Sequence, residues 1–539
     1  DASVLLVNVT PGSPDLGKTV PLDLGRGAYP STMRPRALFP YDPGATLPDL
    51  LFPLDNDVGG RRVEHWEVAT NTLILRPLFP LRPRSTYAVV LTRGVKGLDG
   101  AVVQSPFAGI NPAAQTESLR PALTAVTGGA SQIAFTWAFT TQSLSDNLVA
   151  LRDGLDGKGL FSWLRTKYPP RIAAVSDLAL KGADVPAESD GRPHNTFILN
   201  PQFLKTLLAP FSAAGFGVDK VVFDHVDYFV YGKVTSPDVR SKEGGIWPNL
   251  TSGEIESEAA EIPFTLAVPK TTDKHKPPFP VVVYSHGART SRFELTLIAD
   301  ALNKHGLAIL GIDAVGHGPF GGDLEAIIAR QAKDYPEELV RLLLGSVATT
   351  LLGADYDYTD LKLHDIFVDL SKNGLWRMLF VEGRSEDLDG DGVLLSGDGY
   401  FVPDAFQLTG NGQQTIFDTL GVLRMLKALD PNDVPKAVAS PDKAKPSTLV
   451  ANLLAGDFNA DGVLDIGGPA NKYYAAGTSL GGIHTSVLMA IEPGFRAGVP
   501  IVSGGGMVDL LTRTTLSSAV EPVLIEAIGP AVVGCPVIP

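Results

Sequence analysis

Short runs of β-branched and aromatic residues punctuated by Pro- and Gly-rich turns open the chain: Ser3–Thr10, Thr72–Arg76, Thr86–Thr92 and Ile133–Thr140. Leu78–Pro83 and Leu98–Gly100 supply turns between them. The pattern predicts an all-β sandwich of immunoglobulin type over residues 1–145. From Ser143 the period lengthens. Ser145 is placed to cap a helix carrying Leu148, Leu151 and Leu155, Pro201–Leu208 is a second amphipathic stretch, and residues 146–220 read as a helical connector.

Beyond Val221 strands and helices alternate. Phe229–Val234, Ile262–Val268, Phe279–Tyr284, Leu307–Ile312 and Lys472–Ala476 read as strands, and Gln414–Leu429 as an amphipathic helix. Ser291 with Glu294 three residues on makes a capping box for a helix that buries Leu295, Ile298, Ala299 and Leu302 and stops at Gly306. This alternation predicts a doubly wound, mostly parallel α/β sheet over 221–539. An apolar helical insertion at 318–383, with Leu339–Leu344 and Val347–Leu352, reads either as core-packing helices or as a lid over a hydrophobic cleft.

Composition narrows the function. The 539 residues suffice for several domains, and with 44% apolar and 19% charged residues the chain is globular rather than disordered. A net charge of −14 without a long basic run argues against nucleic acid as a partner. One cysteine, Cys535, excludes an internal disulfide. Asp1 at the start suggests a processed N-terminus, and no run of about 18 apolar residues is present to span a membrane.

Gly477–Thr478–Ser479–Leu480–Gly481 matches the G-x-S-x-G nucleophile elbow, in which Ser sits on a strained strand-to-helix turn and small flanking residues admit neighbouring backbone. It follows an apolar strand and opens a helix, so Ser479 is the candidate nucleophile. The loop His286–Gly287–Ala288–Arg289 ends an earlier buried strand; the backbone N–H of Ala288 or Arg289, with that of Leu480, would form an oxyanion hole. His286 reads as a loop-orienting residue, and Asp313 and His317 of the D-x-x-G-H-G turn as structural rim residues. Two Asp-rich loops suit a hard cation: Asp387, Asp389, Asp391, Val393 and Asp398 in the first, Asp457, Asn459, Asp461, Val463 and Asp465 in the second. The expectation is structural Ca²⁺ and no organic cofactor.

Taken in order, Leu81–Gly100, Phe135–Ser143, the VVVYSHGARTSR run at 281–292, GIDAVGHG at 311–318, the two Asp-rich loops, the elbow with its helix at 473–491 and VPIVSGGG at 499–506 resemble a family. It is the bacterial exported or surface-exposed, virulence-factor type lipases and esterases of the α/β-hydrolase superfamily, which carry an N-terminal immunoglobulin-like domain. The resemblance implies ester hydrolysis by Ser479 and export to the outer membrane surface, periplasm or extracellular space. Family order places an acid and then a His after the nucleophile. Asp509 is the candidate acid within the chain, although the usual order puts acid and His beyond Pro539. His484, five positions along the elbow helix and pointing away from the Ser479 hydroxyl, is a poor base, and no position is assigned as the catalytic His.

The sequence thus predicts a serine carboxylic ester hydrolase acting on lipid or other esters, with the last strands of its hydrolase fold lacking from the chain. A C-terminal fragment of the same precursor completing the site, an early end and lost catalysis are three explanations of the missing base. Alternatives are a calcium-stabilised surface binding protein on a degenerate hydrolase scaffold, and an acyltransferase or polyester depolymerase.

Overall fold

The computed structural model describes residues 3–23, 66–67, 72–73, 75–77, 80–104, 117–173, 197–213, 221–319, 336–387, 394–397, 400, 405–436 and 451–504, apart from the single positions 98, 127 and 144. The chain divides into two compact units, with the boundary at Asp146 and Asn147.

In the N-terminal unit β1 (Val4–Asn8), β2 (Thr19–Val20), β3 (Thr86–Thr92) and β4 (Ile133–Thr140) form one antiparallel sheet in the order β2-β1-β3-β4. Period-two alternation sends Val7, Ala88 and Val90 to one face with Leu119, Ala122 and Ile133, and Leu6, Tyr87 and Val89 to the other with Leu22, Leu75 and Leu81. Both faces are therefore covered. Beyond this sheet the described residues of the unit hold only two pairings of two-residue strands, so the expected second sheet of a sandwich falls outside them.

The described residues of the second unit hold seven strands: β5 (Phe197–Leu199), β6 (Val226–Asp238), β7 (Glu258–Pro269), β8 (Val281–Ser285), β9 (Ala308–Ile312), β10 (Tyr473–Thr478) and β11 (Gly498–Ile501). Their order is β11-β10-β8-β9-β7-β6-β5. The neighbours β11/β10, β10/β8 and β8/β9 run parallel, whereas β9/β7, β7/β6 and β6/β5 run antiparallel. The sheet is thus mixed in equal parts, not mostly parallel. The reason is local: β6 and β7 are long consecutive strands that pair as a hairpin ribbon, while β8 and β9, buried at every position, take the crossover geometry of central strands. Phe264 of β7 pairs with Ile312 at the carboxyl end of β9, so residues 258–263 carry the ribbon past that end of the sheet.

Two apolar layers sandwich the sheet. On one face α1 (Asp146–Leu155) and α2 (Trp163–Lys167) bury Leu148, Leu151, Leu155 and Leu164 together with Phe417, Leu420 and Leu423 of α7 (Ala405–Ala428) and Leu488 of α8 (Leu480–Ile491). The described start of the segment expected as a connector accordingly contributes Leu148, Leu151, Leu155 and Leu164 to this core, and Arg424 of α7 pairs with Asp156 just after α1. The N–H of Asp146 is capped by Ser143 Oγ at 3.1 Å, not by Ser145.

On the other face α3 (Pro201–Ala213), α4 (Thr296–Asn303), α5 (Glu337–Leu352) and α6 (Leu363–Leu370) share a core with Phe229, Val282, Tyr284 and Ile309 of the sheet. The described part of the 318–383 insertion contributes Val340, Leu344, Val347, Leu351, Phe367 and Trp376 to that core. In its described part the apolar side of the insertion thus shares a core with the sheet. No helix among the described residues is long and apolar enough to cross a membrane.

Candidate active site

In the parallel strands β8, β9 and β10 the residues Ser285, Ile312 and Gly477 lie in register at the carboxyl ends, and Ser479 and the loops after β8 and β9 sit just beyond. Ser479 stands alone between β10 and α8 at φ 55°, ψ −111°, a backbone conformation an L residue holds at a cost of order 1–3 kcal/mol. Its amide donates to the Ile501 carbonyl at 2.9 Å, which ties the turn to β11, and its side chain is exposed. The flanking glycines are sterically required. A Cβ on Gly477 would overlap the Gly481 carbonyl, and one on Gly481 would overlap the Ser285 carbonyl.

The loop after β8 runs alongside this turn, for a Cβ built on Gly287 would stand 3.8 Å from Ser479 Cβ. Gly287–Thr290 is a turn with Arg289 in the left-handed region at φ 62°, closed by Thr290 N–H to the Gly287 carbonyl at 3.4 Å. The amides of Ala288, Arg289 and Leu480 donate to no acceptor among the described residues. The Leu480 amide is also the first N–H of α8, one of the unpaired donors at a helix N-terminus where negative charge is favoured. The three candidate oxyanion donors thus come from two loops that meet at Ser479.

Behind this surface lies a layer of neutral imidazoles. His286 donates from Nδ1 to the Gly287 carbonyl at 2.7 Å and accepts the Ala314 N–H on Nε2 at 2.9 Å, which assigns its tautomer and locks it as a bracket between the two loops. His317 donates from Nδ1 to the Val315 carbonyl at 3.0 Å. His484 is buried, with Nδ1 3.1 Å from Ser285 Oγ and Nε2 3.1 Å from the Tyr400 hydroxyl. Burial is the main cause of a lowered pKa in all three, to about 4 for His286 and about 3 for His317 and His484; the charges of the other imidazoles lower the last two further. None of the three bonds to Ser479 Oγ, which has no hydrogen-bond partner among the described residues. Asp509 lies outside the described residues.

The rim is held by buried ions. Asp313 accepts the Arg292 N–H at 2.7 Å and pairs with its guanidinium, and both side chains are inaccessible. Arg384 donates its amide to the His317 carbonyl at 2.7 Å and its guanidinium to Asp418 at 2.6 Å, joining the rim turn to α7. Ser396 Oγ donates to the Thr290 carbonyl at 2.6 Å and accepts the Gly318 N–H at 3.3 Å, so it bridges the loops after β8 and β9.

Sequence reasoning missed Glu294. It does not close a capping box with Ser291; its carboxylate turns to the loop after β8 and accepts the Gly287 N–H at 3.0 Å, the Thr290 hydroxyl, and the Tyr284 hydroxyl at 2.6 Å. Ser291 alone caps, accepting the Phe293 N–H. The S-x-x-E spacing fits both outcomes, and only the proximity of Gly287 decides between them.

The first Asp-rich loop lies outside the described residues except for Asp387, so Asp389, Asp391, Val393 and Asp398 carry no structural reading. The second closes on itself. Asp457 accepts the N–H groups of Asp461 (3.1 Å) and Gly462 (2.9 Å) and the Asn452 amide (2.6 Å); Asn459 Oδ1 also accepts the Asp461 N–H (3.0 Å); and Asp461 accepts the Val463 N–H (2.8 Å). Asp465 faces inward to the Phe458 N–H at 2.6 Å, and burial pushes its pKa up to about 7, with the charges of Asp457 and Asp461 adding to the rise. Among the described residues no group of three or more His, Cys, Asp or Glu side chains is gathered so as to hold a metal ion. The carboxylates of this loop accept its own N–H groups, from Asp461 and Gly462 at Asp457 and from Val463 at Asp461.

No family model matches the chain, and no curated protein matches it either. Among solved structures it is similar to an esterase from Pyrobaculum calidifontis, at 13% identity over 60% of this chain and 92% of that one, with a TM-score of 0.16. It is also similar to the rice cell wall degrading esterase LipA from Xanthomonas oryzae, at 11% identity over 61% and 94%, with a TM-score of 0.16. A third is a bacterial brefeldin A esterase, at 16% identity over 70% and 93%, with a TM-score of 0.12. Likenesses this slight carry no argument for the site, whose reading rests on its own geometry.

Proposed function

We propose that the chain is a serine carboxylic ester hydrolase whose reaction passes through an acyl-enzyme on Ser479. The observation that supports this reading is an exposed serine held at φ 55° and ψ −111° between a central strand and a helix, in a site where the amides of Leu480, Ala288 and Arg289 have no acceptor among the described residues. Attack of Ser479 Oγ on an ester carbonyl would place negative charge on the carbonyl oxygen, and those amides are the groups within the site that answer it. His286, His317 and His484 hold the scaffold and are not given the base role, since each already bonds to other groups and is desolvated.

Reaction with a fluorophosphonate probe tests this. Labelling of the wild-type protein at Ser479, lost in Ser479→Ala, together with hydrolysis of p-nitrophenyl esters lost in the same variant, is the expected result. A second reading is favoured by the lack of any described imidazole on Ser479 Oγ: a binding protein on a hydrolase scaffold. An unlabelled Ser479 in folded protein would support it and overturn the esterase proposal.

A further inference from the structure

We propose that Glu294 is the residue that positions the oxyanion-stabilising amides for the reaction at Ser479, an inference that rests on the esterase reading above. Its carboxylate collects three donors from the two sides of the site. From the oxyanion loop come the Gly287 N–H at 3.0 Å and the Thr290 hydroxyl; from the end of β8 comes the Tyr284 hydroxyl at 2.6 Å. The Tyr284 hydroxyl is in turn 2.8 Å from Oγ1 of Thr478, the residue immediately before the nucleophile. One side chain therefore fixes the spacing between the Ala288–Arg289 amides and the Ser479 turn.

The loop needs such a tether. Arg289 sits in the left-handed region at φ 62°, and a non-glycine residue stays there only where its surroundings over-determine it. Glu294 supplies that constraint at both ends of the turn, through Gly287 and Thr290. Its own backbone is anchored, because Arg292 two residues before it is fully buried and its N–H is held by Asp313. Truncation to alanine leaves the Gly287 N–H, the Thr290 hydroxyl and the Tyr284 hydroxyl without this acceptor, and the turn is then free to move its amides away from Ser479. Glutamine preserves most of the tether. Its oxygen serves the loop, and its amide donates to the Tyr284 hydroxyl, which turns its own proton to Thr478 Oγ1.

The test compares Glu294→Ala and Glu294→Gln with wild type in hydrolysis of p-nitrophenyl butyrate, alongside hydrogen exchange of residues 286–290 read by mass spectrometry. Loss of one oxyanion donor costs roughly 10²–10³ in kcat, so Glu294→Ala is expected to lower kcat about 30- to 300-fold with KM within about threefold, and Glu294→Gln to stay within about fivefold of wild type. The 286–290 amides are expected to exchange at least about tenfold faster in the alanine variant only. Activity of Glu294→Ala within threefold of wild type, a glutamine variant as impaired as the alanine one, or a change confined to KM overturns the proposal. Exchange separates it from the broader reading. Faster exchange in Glu294→Ala with a wild type that neither hydrolyses nor labels counts against the esterase reading alone, whereas unchanged exchange counts against the tether.

Discussion

Replacing His484 with glutamine isolates what a neutral, buried imidazole on the helix after Ser479 contributes at different pH. His484 bridges Ser285 Oγ and the Tyr400 hydroxyl, each at 3.1 Å, and its pKa is lowered by burial to about 3. In the unfolded chain a histidine titrates near about 6.5, so below that pH the unfolded state binds the extra proton. The stability attached to His484 is therefore complete above about pH 6.5 and is lost as the pH falls toward 3. At pH 5 the loss is about 1.5 pH units of linkage, or roughly 2 kcal/mol. Glutamine does not titrate and can bond to both hydroxyls, at a cost near 1 kcal/mol in packing and geometry. His484→Gln is thus expected to be less stable than wild type by about 1 kcal/mol at pH 7 and more stable by about 1 kcal/mol at pH 5, with the curves crossing a little below pH 6. His286 and His317 also lose stability in acid, but they do so in both proteins and largely cancel in the difference. The assay is urea unfolding at pH 7, 6 and 5, followed by hydrogen exchange of residues 281–290 and 480–491 so that the N-terminal unit does not enter. A stability deficit that stays constant or widens as the pH falls would refute the assignment of a buried neutral imidazole.

Three further outcomes follow from the packing. Gly481→Ala forces a Cβ into the Ser285 carbonyl, so it is expected to cost about 3 kcal/mol or more and to reduce fluorophosphonate labelling of Ser479 at least about 100-fold, read by melting and probe intensity. Arg292→Ala strands the inaccessible Asp313 carboxylate and should destabilise by about 3–5 kcal/mol in urea, with Asp313→Asn on the same background recovering part of the loss; no recovery would show that the charge is not the cause. Trp376→Ala removes one of the largest fully buried side chains and is expected to cost about 3–5 kcal/mol, while an unchanged urea midpoint would revive the lid reading of the insertion.

How legible the molecule was in its sequence varied with the range of the interactions. Val281–Ser285 and Ala308–Ile312 announced themselves as continuous apolar runs, and the spacing of Gly477, Ser479 and Gly481 carried its own steric logic, which the strained turn matches. The pairing direction of β6 and β7 was not visible, because alternation reports which face a residue takes and not which neighbour the strand finds. Apolar helices at 337–352 and 363–370 looked alike as lid or core, since only the partner surface differs. Glu294 was read as a local cap because its loop partner lies seven residues away in a turn whose shape the spacing does not encode. His484 was set aside as a base from helix geometry alone, and its partners Ser285 and Tyr400 depend on the assembled fold.

The described helices of the insertion share one apolar layer with the sheet, and this ties their position to the stability of the whole unit. Swinging them aside would strip Tyr284, Ile309 and Phe229 of their cover and dissolve the second core, a price no ordinary gating motion meets. The loops after β8 and β9 are joined in another way, by the Ser396 hydroxyl between the Thr290 carbonyl and the Gly318 N–H. Substitutions confined to those loop residues would leave the helical layer in place, so what the loops around Ser479 do is separable from the stability that holds the unit together.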